Sequence, residues 1–106
     1  GSKLAAEVEF DRLPLLPAAL YLAKKGYAPG AAARNWASYG HEVTLPATMP
    51  GWQRNMLCDP QTSGGLLVAC AQEEVESVLE IFSQQGFGYA SVIGSLRSGK
   101  PNISVK

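Results

Sequence analysis

The sequence predicts an α+β domain, layered as helices on a mixed β-sheet. Three observations lead to this prediction. Residues 6–10 alternate apolar and acidic side chains, which is the period of a half-buried strand. Residues 72–85 carry apolar side chains at helical spacing. The order along the chain is strand, helix, short helices, strand, helix, strand and strand, and a mixed sheet with helices packed on it buries the apolar stripes of such elements.

The first half of the chain contains the less regular elements. After the strand at Ala6–Phe10, a turn leads to Pro17, which suits the first turn of a helix, and Gly26 suits its end. Residues 29–40 are Ala-rich and ambiguous between a short helix and part of a long connection. Residues 41–49 are predicted to be a loop, and residues 50–57 a second short helix.

The second half begins with the polar loop Asp59–Gly65. The uninterrupted apolar run Leu66–Ala71 predicts a buried strand. The helix Gln72–Gln85 follows, and strands are predicted over residues 89–97 and 102–106. If the two strands that flank this helix are parallel, their crossover is right-handed.

Composition excludes several classes of protein. Nine Lys and Arg balance nine Asp and Glu, so the chain lacks the basic excess of a nucleic-acid-binding protein. The longest apolar run, Gly65–Ala71, is too short to cross a membrane. No secretory signal pattern is present, and two cysteines make no disulfide framework. We therefore expect a cytoplasmic protein with neither nucleic acid nor membrane as a partner.

The loop Asp59–Gly65 carries the strongest chemical signal. Gly64 and Gly65 let the backbone approach a ligand or another chain closely, and the polar side chains beside them can shape a turn or hold an anion. The residues themselves leave two interpretations open. The loop either cradles a ligand such as phosphate, or it is a tight turn that needs glycine at the start of a strand.

The string Leu57–Leu67, LCDPQTSGGLL, resembles a signature of the selenophosphate synthetases, or selenide, water dikinases. The upstream stretch Pro29–His41, PGAAARNWASYGH, resembles that family's Gly-rich, Arg-Asn and Ala-Ser-Tyr-Gly segment, in matching order and spacing. The resemblance covers nearly the whole chain. It implies a C-terminal domain like that of the related aminoimidazole ribonucleotide synthetases, in truncated form.

What the resemblance implies for activity belongs to a longer protein. Such an enzyme converts ATP, selenide and water to selenophosphate, AMP and phosphate, needs Mg²⁺, and is typically a homodimer. Its reactive cysteine or selenocysteine, its essential lysine and its metal-binding aspartates lie in segments absent from these 106 residues. We therefore expect no catalytic residue, no metal ligand and no bound cofactor here, and no activity of this chain alone.

The resemblance also implies a division of the chain. Gly1 and Ser2 look like the remnant of a cleaved tag, and residues 3–106 correspond to part of a C-terminal domain. The expected partner is an N-terminal ATP-binding domain of the same protein. Part of the sheet and one helix are expected to be missing, and the apolar surface left exposed predicts self-association.

The candidate residues for lining a substrate cleft come from the two matching segments. They are Arg34, Asn35, Asp59, Gln61, Thr62, Ser63, Gly64 and Gly65. Arg34 can grip a phosphate oxygen, because its planar fork matches oxyanions, or pair with a carboxylate of its own domain. Two other functions stay open: a non-catalytic binding or interaction module of the same fold, and another ATP-dependent enzyme of the superfamily.

The remaining reactive or aromatic side chains are predicted to be structural. We expect a solvated loop histidine at position 41, a buried inert thiol at Cys58, and Cys70 in the core of a strand. Trp36 and Trp52 are expected to anchor the core, because no basic residues cluster around them as they would around a nucleic-acid stacking platform.

Overall fold

A computed structural model describes residues 2–106, so half of the predicted tag remnant, Gly1, lies outside the described residues. It contains a four-stranded mixed sheet and four α-helices, which confirms the predicted α+β class. The strands are β1 (Leu4–Val8), β2 (Val43–Thr44), β3 (Gly94–Ser98) and β4 (Asn102–Val105). The helices are α1 (Pro17–Lys24), α2 (Gly30–Tyr39), α3 (Gly51–Leu57) and α4 (Val75–Gln84).

The sheet has the order β2-β4-β1-β3. β4 lies parallel to both β1 and β2, whereas β3 is antiparallel to β1. The short link from β3 to β4 therefore passes the start of β1, and Gly99 in that link has a φ of 153°, a value that glycine adopts without the strain of a Cβ.

The two faces of the sheet differ in polarity. Glu7 of β1 lies between Arg97 of β3 and Lys106, and pairs with both cations. Ala6 and Val8 point to the opposite face, because side chains alternate along a strand. This apolar face is the side on which the core forms.

The core sits between one end of the sheet and the first three helices. Its buried apolar residues are Phe10, Ala23, Ala32, Cys58 and Val105. The Phe10 ring meets Trp52 of α3 edge to face, with ring centroids 5.9 Å apart, and α1 and α2 each pack against α3. Trp52 therefore takes the anchoring role predicted for it.

Helix α1 begins where the sequence indicates, with Pro17 in its first turn and Gly26 beyond its end at a φ of 91°. The ambiguous stretch after it resolves as helix α2. The predicted helix Gln72–Gln85 is present as a 3-10 turn followed by α4. Its predicted apolar stripe is half-buried: Val75, Val78, Leu79 and Phe82.

The predicted buried strand at Leu66–Ala71 is wrong. The whole run is exposed and forms no strand, and Leu66 and Leu67 are 83% and 82% exposed. Cys70, expected in the core, is exposed as well. The apolar composition is that of a strand, but no strand among residues 2–106 pairs with this run, so its N–H groups donate no hydrogen bond to another described residue and its side chains stay exposed. Without that strand, the predicted crossover unit does not form.

The predicted bounds of the other strands shift by a few residues. β1 starts and ends two residues earlier than predicted, because Phe10 enters a 3-10 turn. β3 begins at Gly94 rather than at residue 89, and the predicted loop 41–49 contains a 3-10 turn and the short β2.

Candidate functional site

The loop Asp59–Gly65 follows directly from the end of helix α3. The amide of Cys58 closes the helix on the carbonyls of Arg54 and Asn55, each at 3.2 Å, and the Asp59 amide bonds Met56 at 3.3 Å. Asp59 is half-buried against this helix end, and the loop from Pro60 onward is exposed. The helix therefore fixes the first residue of the loop and lets the others project outward.

A side-chain hydrogen bond shapes the start of the loop. The Gln61 amide donates from Nε2 to Oδ2 of Asp59 over 3.2 Å. Beyond it, the backbone N–H groups of residues 61–70 donate no hydrogen bond to any other residue between 2 and 106. Backbone N–H groups that are free to donate can hold an anion where several of them converge on it.

The glycines of the loop are not demanded by its local geometry. Neither Gly64 nor Gly65 has a positive φ. A Cβ on Gly65 would meet nothing within 4 Å, and one on Gly64 would meet the flexible end of Gln61 at 3.0 Å. Neither glycine is therefore required by a left-handed backbone, and an alanine at Gly65 would meet no atom within 4 Å among residues 2–106.

Helix α2 holds the other two candidates, and one of them is joined to the base of the loop. The Asn35 amide donates from Nδ2 to the backbone oxygen of Cys58 over 2.9 Å, in a partly buried position. Arg34 is exposed, and its guanidinium makes no ion pair with any residue between 2 and 106. The structure thus brings Asn35 to the loop base and leaves Arg34 pointing to solvent from the same helix.

A shallow groove opens beside Asp59, a feature that sequence reasoning missed. It has a volume of about 300 Å³, and Asp59 is the one charged residue among those that line it. Its walls come from α1, from the connection to α2 and from α3: Ala19, Leu22, Ala23, Tyr27, Ala28, Pro29, Met56 and Asp59. Only the tertiary packing of α1 on α3 creates this groove.

Cys58 is buried, as predicted, and is 2% exposed. Loss of hydration raises the pKa of the nearby Tyr39 hydroxyl, and a hydrogen bond with the Cys58 side chain raises it further. Tyr39 therefore stays protonated at neutral pH and keeps its O–H as a donor at this position. His41 is exposed, as predicted, with Nε2 3.9 Å from the Glu42 carboxylate.

Trp36 is half-buried on α2, in the position of a local anchor. Its ring lies where a Cβ on Gly40 would have to be, 2.7 Å from two ring atoms, and the Arg54 guanidinium lies 5.8 Å from the ring centroid. Trp36 thus links α2 to α3 close to the Asn35 hydrogen bond.

Metal-ligating side chains do not gather in the described part of the chain. Among residues 2–106, no group of three or more His, Cys, Asp and Glu side chains could hold a metal ion. The one carboxylate of the loop, Asp59, is engaged by Gln61. The residues present therefore do not make a magnesium site by themselves. No helix in the same part of the chain is long and apolar enough to span a bilayer.

The fold and the loop together define an α+β domain whose polar loop projects from the end of a helix beside a groove. Comparison with known proteins shows where such a sequence occurs: the chain is related over 99% of its length to the selenide, water dikinases. It is 46% identical over 105 residues to the enzyme of Pseudomonas straminea, 49% to that of Paraburkholderia xenovorans and 48% to that of Dechloromonas aromatica. The resemblance seen in the two motifs is thereby confirmed.

The match covers only part of those relatives. The chain spans about 30% of the length of the curated relatives that it matches. No protein-family model matches the chain.

Proposed function

We propose that this chain is the C-terminal portion of a selenide, water dikinase, with residues 3–106 forming part of that enzyme's C-terminal domain. The complete enzyme makes selenophosphate from ATP, selenide and water. It is a cytoplasmic homodimer that uses Mg²⁺. Its reactive groups lie in the N-terminal ATP-binding domain, and this chain contributes one wall of the cleft between the two domains.

The observation that carries the proposal is the loop's set of free backbone donors. Residues 61–65 are exposed, and their N–H groups are unused by the rest of the described chain. Thr62 and Ser63 add two hydroxyls to that surface. A phosphate group of a bound nucleotide is a suitable acceptor for such a surface, because it offers several strong acceptor oxygens.

Arg34 supplies the positive charge that the loop lacks. It is exposed and has no carboxylate partner in the described part of the chain. Its guanidinium can bind two oxygens of a phosphate at once, which orients that group as well as attracting it. Asn35 acts indirectly, since its side chain is committed to the Cys58 carbonyl at the loop base.

Phosphoryl transfer depends mainly on positioning and on electrostatic stabilisation. In the proposed mechanism, this chain positions a phosphate group of the nucleotide. The loop donors and Arg34 orient that phosphate, and the amide of Asn35 holds the loop to the helices. Magnesium neutralises phosphate charge in such reactions, and its ligands belong to the segment outside this chain.

The first test uses the 106-residue chain alone. We expect no AMP from ATP and selenide, because every group expected to react lies elsewhere. Measurable AMP formation by the purified chain would contradict the assignment of all chemistry to the other domain.

The second test uses the complete enzyme, numbered as here. Gly65→Ala and Arg34→Ala should each lower selenophosphate formation, followed by ³¹P NMR, by about tenfold or more, since each removes or blocks one good phosphate contact. Gly51→Ala is the matched control, because a Cβ at Gly51 also meets nothing within 4 Å and lies at the opposite end of α3. Equal activity of all three variants would show that neither the loop nor Arg34 lines the cleft.

A further inference from the structure

The groove beside Asp59 contains a carboxylate oxygen that is free to bind. Oδ2 of Asp59 accepts the hydrogen bond from Gln61. Oδ1 accepts none from any residue between 2 and 106, and the carboxylate forms no ion pair in that range. Every buried side-chain oxygen of the same residues has a hydrogen-bond partner. Since Oδ1 has none, it is not buried and a ligand in the groove can reach it.

The walls around this carboxylate are mostly apolar. Leu22 of α1 and Met56 of α3 contribute aliphatic and thioether surface, and Tyr27 contributes an exposed aromatic ring. The volume of about 300 Å³ is at the lower end of the range of small-ligand sites, roughly 300–1,000 Å³. Only eight residues line the groove, whereas a stable protein interface takes about 20–30 residues from each partner. The groove therefore has the size of a site for a small molecule.

The charge of the groove selects the kind of ligand. A half-buried carboxylate beside apolar surface is best stabilised by a cation that brings its own hydrogen-bond donors. A planar amidinium or guanidinium group presents two N–H groups in a fork that matches a carboxylate, and its face can pack on the ring of Tyr27. An anion would meet Asp59, the one charged residue of the groove, and be repelled. The groove thus has the opposite charge preference to the loop Asp59–Gly65 and Arg34.

We propose that the groove binds a small organic cation, in which an apolar ring or short chain ends in an amidinium or guanidinium group. The cationic end donates to Oδ1 of Asp59, and the apolar part packs on Leu22, Met56 and Tyr27. The ligand also influences the loop, because the carboxylate that it binds is the one that holds the Gln61 amide over 3.2 Å. This inference concerns the 106-residue chain and does not depend on the proposed function.

The experiment is a titration of the 106-residue chain with benzamidine, a cation at neutral pH, followed by amide NMR spectroscopy. We expect saturable shifts of the backbone amides of Tyr27 and Asp59 and of the side-chain amide of Gln61, with a dissociation constant of about 1 mM. Benzamide, which has the same shape but no charge, should bind at least about 10-fold more weakly, since the charge-assisted hydrogen bond is lost. Equal binding of the two compounds, or shifts confined to other residues, overturns the proposal.

Two variants test the two halves of the site. Asp59→Asn should raise the dissociation constant for benzamidine by at least about 10-fold, because a neutral group of the same size replaces the carboxylate. Asp11→Asn is its matched control, since Asp11 is exposed and does not line the groove. Ala28→Leu, which fills part of the groove, should raise the constant by about 5-fold or more, and Ala37→Leu on the exposed side of α2 should not.

The apolar variant keeps the test decisive if circular dichroism shows that Asp59→Asn perturbs folding. A folded Asp59→Asn or Ala28→Leu variant that binds benzamidine as tightly as the wild type overturns the proposal. The complete enzyme, titrated by calorimetry, should bind benzamidine with a similar dissociation constant. If the 106-residue chain binds it and the complete enzyme does not, a side chain of the longer protein occupies the groove, and the assignment to a small molecule is wrong.

Discussion

The Asn35 amide donates a hydrogen bond of 2.9 Å to the backbone oxygen of Cys58. The acceptor follows the last turn of α3, where helical carbonyls have no partner within the helix. The donor lies in the middle of α2, 23 residues earlier in the chain. One side chain therefore ties two helices together at the residue that precedes the candidate loop.

Replacing Asn35 by alanine should lower the free energy of unfolding by about 1–2 kcal/mol, because the partly buried Cys58 carbonyl loses its partner. Urea denaturation followed by circular dichroism gives the value. Ser38→Ala is the control on the same helix, since Ser38 is exposed and makes no hydrogen bond through its side chain. If the two variants unfold at the same urea concentration, the contact does not hold the loop base.

Local signals in the sequence were sufficient for helices α1 and α4, whereas α2 stayed ambiguous. Pro17 and Gly26 mark the two ends of α1, and the apolar spacing of residues 75–82 identifies the half-buried face of α4, because both signals act within a few residues. The strand predicted at Leu66–Ala71 failed for the opposite reason. A strand forms only where another strand pairs with it, and the apolar residues of the run do not indicate whether such a strand is available. No strand among residues 2–106 pairs with this run.

The candidate site, too, was predictable from the sequence only in part. The loop and Asn35 could be selected from the sequence, because their residue types and the family motif single them out. Their connection through the Cys58 carbonyl could not, since a backbone acceptor carries no residue signature. The groove beside Asp59 was equally hidden, because its walls are ordinary apolar residues from three separate segments.

The two cysteines should differ sharply in reactivity. Cys70 is exposed and Cys58 is buried, so iodoacetamide at neutral pH should modify Cys70 at once and leave Cys58 unmodified until the chain unfolds. Mass spectrometry of tryptic peptides over time separates the two sites. A control in 6 M guanidinium chloride should show both cysteines modified. Protection of Cys70 in the native chain would mean that the run Leu66–Ala71 is covered in solution.

Gly94 should be the least replaceable glycine of the sheet. A Cβ there would lie 1.9 Å from the backbone oxygen of Glu7, on the neighbouring strand β1, so neither atom can move without disturbing the pairing. Gly94→Ala should destabilise the fold by about 1–3 kcal/mol, the usual range for forced overpacking. Gly65→Ala, which meets no atom within 4 Å, should change the unfolding free energy by less than about 1 kcal/mol. Similar urea midpoints for the two variants would refute this close approach of β1 and β3.

Glu7 should make the stability of the fold depend on pH in the acid range. A hydrogen bond from Lys106 is the largest influence on the pKa of the Glu7 carboxyl and lowers it. Loss of hydration comes next and raises it, but the charges of Arg97 and Lys106 lower it again, so the pKa lies below its ordinary value of 4.5. A carboxyl with a lowered pKa in the folded state binds its proton more readily when the chain is unfolded. Its contribution to stability is therefore fully present above pH 4.5 and is lost as the pH falls through the folded value.

Glu7→Gln removes that contribution while keeping the size of the side chain. The wild type should be more stable than Glu7→Gln at pH 7, and the difference should shrink steadily below pH 4.5. Thermal unfolding between pH 2.5 and 7 measures it. Lys106→Gln, which removes the main partner, should give a similar narrowing, and the double variant should lose little more than either single one, because both remove the same interaction. A difference between wild type and Glu7→Gln that stays constant down to pH 2.5 would show that the carboxylate is not held by its two cations.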